Sequence, residues 1–263
     1  TYLSAAICLR GYVSNHLPLS NGFETMQFMA WCTLLLTFLL QRKFAMLLPF
    51  GFLLCGLTLM VSMLGESNPQ ITQLMPVLQS PLLSIHVVVI MIAYSLLAFI
   101  MLNGVTAVIL HQSQKECKEQ IERLQIISQI ILYPAIFLLA IGIFIGAVWA
   151  NVSWGRYWGW DPKETWALIT MVIYAIVTHL HLIKRCNSLW LFNVTSVIAF
   201  SSVLMTFFGV NYFLSGMHSY GQNEHVNNIL IYLYLAFGII IVLAMLSYRS
   251  WKKNPERRRK YDK

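Results

Sequence analysis

The densest aromatic run in this sequence has the residue types best suited to binding a flat ligand. It reads WGRYWGWD over residues 154–161 and contains Trp154, Gly155, Arg156, Tyr157, Trp158, Gly159, Trp160 and Asp161. Glycine lets a ligand approach the backbone closely, and large aromatic faces suit a planar, mostly apolar cofactor. Tryptophan is also enriched at membrane interfaces. The run therefore predicts either a cofactor platform or an interfacial aromatic belt, and composition favours the two equally.

Two histidines are predicted to lie near this run. His86 follows the helix-start pair Ser80-Pro81, and His218 comes after the apolar stretch 188–213. Each histidine alone is typical of a membrane interface. Two neutral imidazoles on opposite faces of a porphyrin, however, are a common way to hold haem iron. The pair is therefore a candidate for iron ligation, with an interfacial role as the alternative.

A third histidine is predicted to lie deeper in the same protein. His179 follows Glu164 by 15 residues, which places it about 22 Å further along a helix. An ionisable group at that depth of a membrane is costly, and it is a functional candidate for that reason. His181 lies about 200° around the same helix, so only one of the two can face a bundle interior.

The polar end of the aromatic run is typical of a helix start. Asp161, Pro162 and Glu164 occupy the N-cap, N1 and N3 positions of a capping box. Asp161 is therefore predicted to cap the next helix, a role in which it need not contact a ligand. Arg156 or Lys163 could pair with a ligand carboxylate, or equally with a lipid phosphate.

The composition of the chain predicts the kind of fold that positions these residues. Of its 263 residues, 58% are apolar and 11% are charged, and the mean hydropathy is +0.66. An ordinary soluble domain carries roughly 25% charged residues and could not bury this much apolar surface. The sequence therefore predicts an all-α polytopic membrane protein, with residues 1–263 forming a single domain.

A helix that crosses a bilayer needs about 20 mostly apolar residues. Residues 1–9 are predicted to be the last turns of a helix whose start is missing, so the chain would be either a processed chain or a piece of a longer polypeptide. Seven complete spans are predicted after it: 24–40, 44–64, 82–110, 124–150, 164–183, 188–213 and 226–248.

The basic residues orient these spans. Fifteen of the 18 fall on one side if seven helices alternate, and eight of those lie in the tail 249–263. The excess of positive charge in short loops marks the cytoplasmic side. The tail is thus predicted to contact anionic lipid rather than nucleic acid, and the aromatic segment 151–163 is predicted to lie outside.

The cysteines provide no redox or metal chemistry of their own. There are five, and none belongs to a CxxC pair. They are predicted to be packing residues, because a dithiol or a metal cluster needs closely spaced thiols. Any thiol reductant that the function requires must therefore be another protein.

Several segments of the chain resemble one family. The sequence WGRYWGWDPKET over residues 154–165 is similar to the tryptophan-rich WWD signature of haem-handling proteins, and residues 166–182 continue the likeness. Further segments fit the same family, at residues 17–24, 80–86 and 209–221. The chain thus resembles the CcsA (ResC) family of the system II cytochrome c synthesis pathway over nearly its whole length.

This resemblance implies a function, a substrate and partners. CcsA proteins act with a CcsB (ResB) half, sometimes in one fused CcsBA chain, as a haem exporter and holocytochrome c synthase, that is, a cytochrome c haem-lyase. Haem b would be held at the outer WWD segment, where its vinyl groups receive the thiols of an apocytochrome c CxxCH motif. A thioredoxin-like protein would supply reduced thiols. The resemblance implies the C-terminal, CcsA portion of such a fusion.

The resemblance also assigns roles to residues. His86 and His218 match the two outer ligands of haem iron, and His179 matches an intramembrane ligand that faces one from the CcsB half. The remaining haem-binding candidates are Trp154, Gly155, Arg156, Trp158, Gly159, Trp160 and Asp161. One departure is the HLH at residues 179–181, where the family usually has one histidine and then a basic residue.

Two other functions are compatible with the same residues. A haem carrier of the CcmC type would bind haem at the WWD motif without attaching it covalently. A transporter or structural subunit that binds no haem would use the tryptophans only as an interfacial belt. The DPKET sequence and the outer segment 65–81 favour the CcsA-like function. The implied location is a bacterial inner membrane or a thylakoid membrane, with the haem site on the periplasmic or lumenal side.

Overall fold

The computed structural model describes residues 2–42, 47–65, 71, 76–112, 117–183, 187–214 and 216–217, with scattered positions between 231 and 249. All regular structure in these parts of the chain is helical, which confirms the predicted all-α fold. The α-helices are α1 (Tyr2–Ser14), α2 (Gly22–Leu40), α3 (Leu47–Gly65), α4 (Pro81–Gln112), α5 (Lys118–Trp154), α6 (Pro162–His179), α7 (Leu189–Leu204) and α8 (Val210–Phe213). A π-helical turn, Met205–Gly209, joins α7 to α8.

Several of these helices are long and apolar enough to cross a membrane. Within the described residues there are five, at Gly22–Leu40, Pro81–Gln112, Lys118–Trp154, Pro162–Leu182 and Leu189–Gly209, and Leu47–Met63 is a shorter apolar helix. The protein is therefore a multi-pass membrane protein. The span predicted at 226–248 and the basic tail at 249–263 lie largely outside the described residues, so the count of seven spans stays a prediction.

The first helix is longer than the predicted fragment 1–9. It continues through Arg10 to Ser14, and Asn15 then takes a left-handed conformation with φ of 56°. Arg10 can remain at this end of the bundle because its guanidinium is paired with the carboxylate of Glu24. Asn tolerates the left-handed region better than most residues, which explains where the helix ends.

The helix that carries His86 lies at the centre of the fold. Helix α4 packs against α2, α3, α5 and α7. Of its most apolar stretch, 61% is buried, compared with 17% for the corresponding stretch of the span that contains α6. Its core side chains include Leu97, Phe99 and Ile100, which are fully buried. Helix α6 is therefore peripheral among the described helices, with only Thr170, Tyr174 and Val177 buried.

Small residues allow close approach of the central helices. A β-carbon added at Gly104 of α4 would lie 2.9 Å from the backbone oxygen of Asn193 on α7. Helices in membranes commonly pack through such positions, because apolar contact alone gives little preference over lipid.

A buried carboxylate joins the first two helices. Glu24 is 3% exposed, and its oxygens accept hydrogen bonds from Arg10 Nε at 2.7 Å, Ser20 N at 2.8 Å and Ser20 Oγ at 2.6 Å. The N-cap of α2 is Asn21, whose side chain accepts the Glu24 N–H. Every oxygen of the buried charge thus has a donor, as the low dielectric requires.

We expect the substitution Glu24→Gln to destabilise the protein strongly. It removes the charge that compensates Arg10, and breaking one side of a buried ion pair costs about 3–5 kcal/mol. The measurement is the free energy of unfolding in detergent micelles. The matched control is Glu119→Gln, because Glu119 pairs with Arg123 at 2.6 Å while both side chains are mostly exposed. Equal effects of the two substitutions would contradict this interpretation.

Candidate functional site

The aromatic segment is a tight connection between two long helices. Helix α5 ends at Trp154, and its C-cap Gly155 has φ of 72° and donates its N–H to the Asn151 carbonyl at 2.9 Å. Glycine adopts this left-handed conformation without steric cost, so the helix stops and the chain turns. Helix α6 then begins at Pro162. Residues 155–161 are therefore held at both ends by helix termini.

The tryptophans form two edge-to-face pairs rather than one flat stack. Trp149 is buried, and its ring centroid lies 4.8 Å from that of Trp154 at an interplanar angle of 68°. Trp158 and Trp160 are 5.9 Å apart at 89°. The first pair anchors the end of α5 in the bundle. The second pair lies on the connection itself, where it is available to a ligand.

Trp160 combines an unusual backbone with an open side chain. Its φ is 55°, in the left-handed region, and its side chain is 72% exposed. A bulky residue with this φ is strained, and such strain is often found at functional sites. The capping contacts of the next residue, Asp161, hold this backbone in place.

The predicted capping box is confirmed. The Asp161 carboxylate accepts the Lys163 N–H at 3.0 Å through Oδ1, and Glu164 Oε2 accepts the N–H groups of Asp161 at 3.2 Å and of Gly159 at 2.9 Å. These contacts satisfy backbone donors that a helix start leaves open. Three short-range hydrogen bonds thus fix the end of the aromatic segment against α6.

Asp161 has a second contact that sequence reasoning missed. Its Oδ2 accepts the N–H of Met217 at 2.7 Å, and Asp161 is 8% exposed. A β-carbon at Gly216 would collide with this same Oδ2, so glycine is required there for the two segments to meet. The nearest sequence signal was Gly216 in the run GMHSYG. The carboxylate therefore ties the chain after α8 to the start of α6.

Arg156 strengthens the same connection. Its guanidinium donates to Met217 Sδ at 2.8 Å. Met217 is thus held through both its backbone and its side chain. The next residue, His218, lies outside the described residues, as do most of the residues that follow it.

Lys163, the other basic residue of this region, also has a protein partner. Its ammonium donates to Asn211 Oδ1 at 3.1 Å, and the Asn211 amide donates to the Phe207 carbonyl at 2.6 Å. Both Arg156 and Lys163 therefore contact the segment around α8. A ligand carboxylate or a lipid phosphate would be an additional partner for them.

His86 lies in the second turn of α4 with its ring against α5. Its Nδ1 is 2.7 Å from the Gly142 carbonyl oxygen, and the residue is partly buried. A carbonyl only accepts, so Nδ1 carries the hydrogen and the lone pair of the neutral ring is on Nε2. This is the tautomer in which histidines commonly bind metals, with the other nitrogen donating to the protein.

His179 and His181 are both exposed at the far end of α6. The Nδ1 of His179 lies 2.7 Å from the Ala175 carbonyl, and the Nδ1 of His181 lies 3.0 Å from the Thr178 carbonyl. Neither ring faces the interior of the described helices. The reason is that α6 is peripheral and ends at His179, followed by the short 3-10 turn Leu180–Leu182.

Two of the histidines predicted to bind iron, His86 and His179, thus lie at separate places in the described residues. His86 is near one end of α4, and His179 lies 15 residues beyond Glu164, about 22 Å along α6. The described part of the chain contains no group of three or more His, Cys, Asp or Glu side chains that could hold a metal ion.

Together these features define a class: a multi-pass helical membrane protein with a capped aromatic connection and a histidine whose tautomer suits metal ligation. Comparison with known families identifies the family within this class. The model of the family described as "Cytochrome C assembly protein" matches residues 19–218. The chain belongs to this cytochrome c assembly family, of which the CcsA proteins are members.

Individual relatives agree with this assignment. Protein NrfI of Wolinella succinogenes is 40% identical over 222 residues, covering 83% of this chain and 25% of NrfI. The cytochrome c biogenesis protein CcsA of Chlamydomonas reinhardtii is 36% identical over 229 residues, covering 82% of this chain and 64% of that protein. CcsA of Mesostigma viride is 33% identical, with 82% and 81% covered. The chain therefore spans a quarter of the length of NrfI and somewhat less than two thirds of the Chlamydomonas protein.

Two substitutions of Asp161 should separate its two contacts. Asp161→Ser keeps a helix-capping oxygen but not the one that reaches Met217, and we expect a loss of about 1–3 kcal/mol in the free energy of unfolding. Asp161→Ala also removes the cap and should cost about 1 kcal/mol more. Chemical unfolding in micelles gives both values. A serine variant as stable as the original protein would show that the Met217 contact contributes nothing.

Proposed function

We propose that the chain binds haem b at its WWD segment and takes part in attaching it covalently to apocytochrome c. It would do so as the haem-binding half of a CcsB–CcsA holocytochrome c synthase. The observation that carries this proposal is the 2.7 Å contact between His86 Nδ1 and the Gly142 carbonyl. That contact leaves Nε2 as the basic nitrogen, beside the end of the bundle that carries the tryptophans.

His86 and His218 are the residues that we propose would hold the haem iron. A neutral imidazole binds iron without a proton to lose, and a ring fixed by a hydrogen bond loses little freedom on binding. His218 follows Met217, which Asp161 and Arg156 hold. His218, the proposed ligand, thus directly follows a residue that is hydrogen-bonded to Arg156 and Asp161 of the WWD segment.

The aromatic segment would bind the porphyrin around this iron. Trp154, Trp158 and Trp160 offer aromatic surface. The absence of a side chain leaves the backbone accessible at Gly155, whereas at Gly159 the Arg156 guanidinium fills the corresponding space, with its Cζ 3.0 Å from where a β-carbon would lie. Gly155 supports this role, because a β-carbon there would meet nothing within 4 Å. Arg156 is exposed and is the proposed partner of a haem propionate. Asp161 would contribute indirectly, because it holds Lys163 and Met217 in place through its hydrogen bonds.

The chain needs no acid, base or nucleophile of its own for this reaction. Haem b bound here would supply two vinyl groups, across each of which one cysteine S–H of the CxxCH motif adds, with sulfur and hydrogen going to the two vinyl carbons. Because the addition has no net redox change, the contribution of the protein is to orient both reactants. Reduced thiols are still required, and we propose a thioredoxin-like protein as their source.

The exposed His179 supports a second, intramembrane haem position. Its Nδ1 is bonded to the Ala175 carbonyl, and its ring is open on the surface of α6. An ionisable side chain in this region of a membrane helix calls for a partner. We propose that the CcsB half supplies the opposing ligand and covers this face of α6.

The proposed sidedness follows from the positive-inside rule. The haem site would lie on the periplasmic or thylakoid-lumenal side, where apocytochrome c is found after export. The alternative function is that of a CcmC-type carrier, which binds haem at the same residues and transfers it without forming a thioether. Incubation of the purified complex with haem and a CxxCH peptide distinguishes them, because only the synthase produces a covalent haem–peptide adduct.

We expect His86→Ala to abolish cytochrome c maturation, with partial recovery when imidazole is supplied. The cavity left by the ring admits free imidazole, which restores one axial ligand. The measurement is the amount of covalent holocytochrome c in cells, together with the haem spectrum of the purified protein. His218→Ala should behave in the same way.

The matched control for these variants is His16→Ala. His16 is predicted to lie on the same side of the membrane, but its ring bonds the carbonyl of the adjacent residue Leu17 at 2.8 Å. Its loss should leave both maturation and the spectrum unchanged. Full activity of a His86→Ala, His218→Ala double variant would rule out both ligand roles.

A second pair of variants tests the intramembrane position. With the CcsB half present, His179→Ala should remove haem bound within the membrane, whereas His181→Ala should retain it. The quantity to measure is haem per purified complex in a background where the outer site is disabled by His86→Ala. The reverse pattern would assign the ligand to His181 instead.

A further inference from the structure

We propose that Gly142 and Gly146 of α5 are positioning residues that set the orientation of His86. The inference rests on the proposed function, since it concerns how the His86 ring is presented to iron. It goes beyond that function by assigning a role to two residues of an otherwise apolar helix.

The first observation is steric. A β-carbon at Gly146 would lie 2.7 Å from Cε1 and 2.8 Å from Nδ1 of His86, and 3.4 Å from Nε2. Atoms in proteins do not approach a β-carbon this closely without a shift. The His86 ring therefore occupies the space that a side chain at position 146 would fill.

The second observation is the hydrogen bond of the ring. His86 Nδ1 donates to the Gly142 carbonyl at 2.7 Å. Within a regular α-helix this carbonyl also accepts the N–H of residue 146. A carbonyl oxygen has two lone pairs, so it can serve both donors, provided that the imidazole can approach the helix backbone directly.

The spacing of the four residues makes this approach possible. Gly142 and Gly146 are one helical turn apart on α5, and His86 and Ile90 are one turn apart on α4. A β-carbon at Gly142 would lie 2.5 Å from Ile90 Cδ1. The two glycines thus form a groove on α5 that receives the side chains of His86 and Ile90, which lie one turn apart on α4. Such Gly-xxx-Gly spacing normally serves only helix packing.

In this protein the groove has a chemical consequence as well. Close contact with the position-146 backbone limits the rotation of the ring, and the Gly142 carbonyl fixes its tautomer. Both are features that second-shell partners of metal-bound histidines commonly provide. Gly142 and Gly146 therefore determine where Nε2 lies and in which direction its lone pair points.

The test is Gly146→Ala in the full chain, made with its partner half and loaded with haem b. The added methyl displaces the ring and weakens the ligand, and we expect haem retention to fall about 10–100-fold, the usual range for second-shell changes. The Soret spectrum should lose its six-coordinate, bis-histidine form, and added imidazole should restore it. The reduction potential of any retained haem should also shift.

The matched control is Gly56→Ala on α3. A β-carbon at Gly56 meets nothing within 4 Å, so this variant should keep the haem spectrum, the potential and the retention unchanged. It makes the same chemical change in a membrane helix without approaching His86.

A double variant separates positioning from simple helix packing. In a His86→Ala background the clash is gone, so Gly146→Ala should have no further effect on protein yield or unfolding temperature. If Gly146→Ala alone fails to accumulate, recovery of the double variant still supports the inference. Failure of the double variant to accumulate means that position 146 matters only for packing, and it overturns the inference.

The outcomes also distinguish this inference from the proposed function. Haem retention and spectrum unchanged in His86→Ala would refute the ligand role itself. Loss of haem in His86→Ala, combined with an unaltered spectrum and potential in Gly146→Ala, would leave the proposed function intact and refute the positioning role alone.

Discussion

The hydrocarbon interior of a membrane offers no partner to a backbone N–H or C=O group, and this constraint governs the whole structure. Each crossing segment must satisfy its own backbone as a helix, so strong polar chemistry is confined to helix ends or to places where a partner is built in. Glu24 and Asp161 both follow this rule. Each is a nearly buried carboxylate in or beside the first turn of a long helix, and each has donors for both of its oxygens.

Asp161 shows how one side chain can serve local and long-range structure together. One oxygen caps α6, and the other holds Met217. The aromatic connection, the start of α6 and the chain after α8 are therefore fixed relative to each other by a single carboxylate. The proposed haem site, assembled from separate segments, would depend on such a link, because aromatic surfaces alone tolerate small displacements and ligation of iron does not.

The histidines show that a common local geometry can have different uses. His86 and His179 both bond a backbone carbonyl through Nδ1, which leaves Nε2 as the basic nitrogen. His86 bonds a neighbouring helix and lies in a groove that two glycines open. His179 bonds its own helix and is open to whatever covers α6. The first ring is oriented by this chain, whereas the second is exposed, and in our proposal the CcsB half would cover it.

The sequence by itself determined the class, the helices and the local caps. Apolar stretches of about the thickness of a bilayer predicted the membrane helices, and the spacing of Asp161, Pro162 and Glu164 predicted the capping box, because these features depend only on near neighbours. Resemblance over residues 154–165 indicated the family. Only the tertiary structure decided that Asp161 also holds Met217, that His86 bonds Gly142, and that both His179 and His181 are exposed. The first two contacts each join residues 56 positions apart, and the exposure depends on α6 being peripheral. Helical periodicity cannot specify which faces of two helices meet, since that is settled by packing at positions such as Gly146.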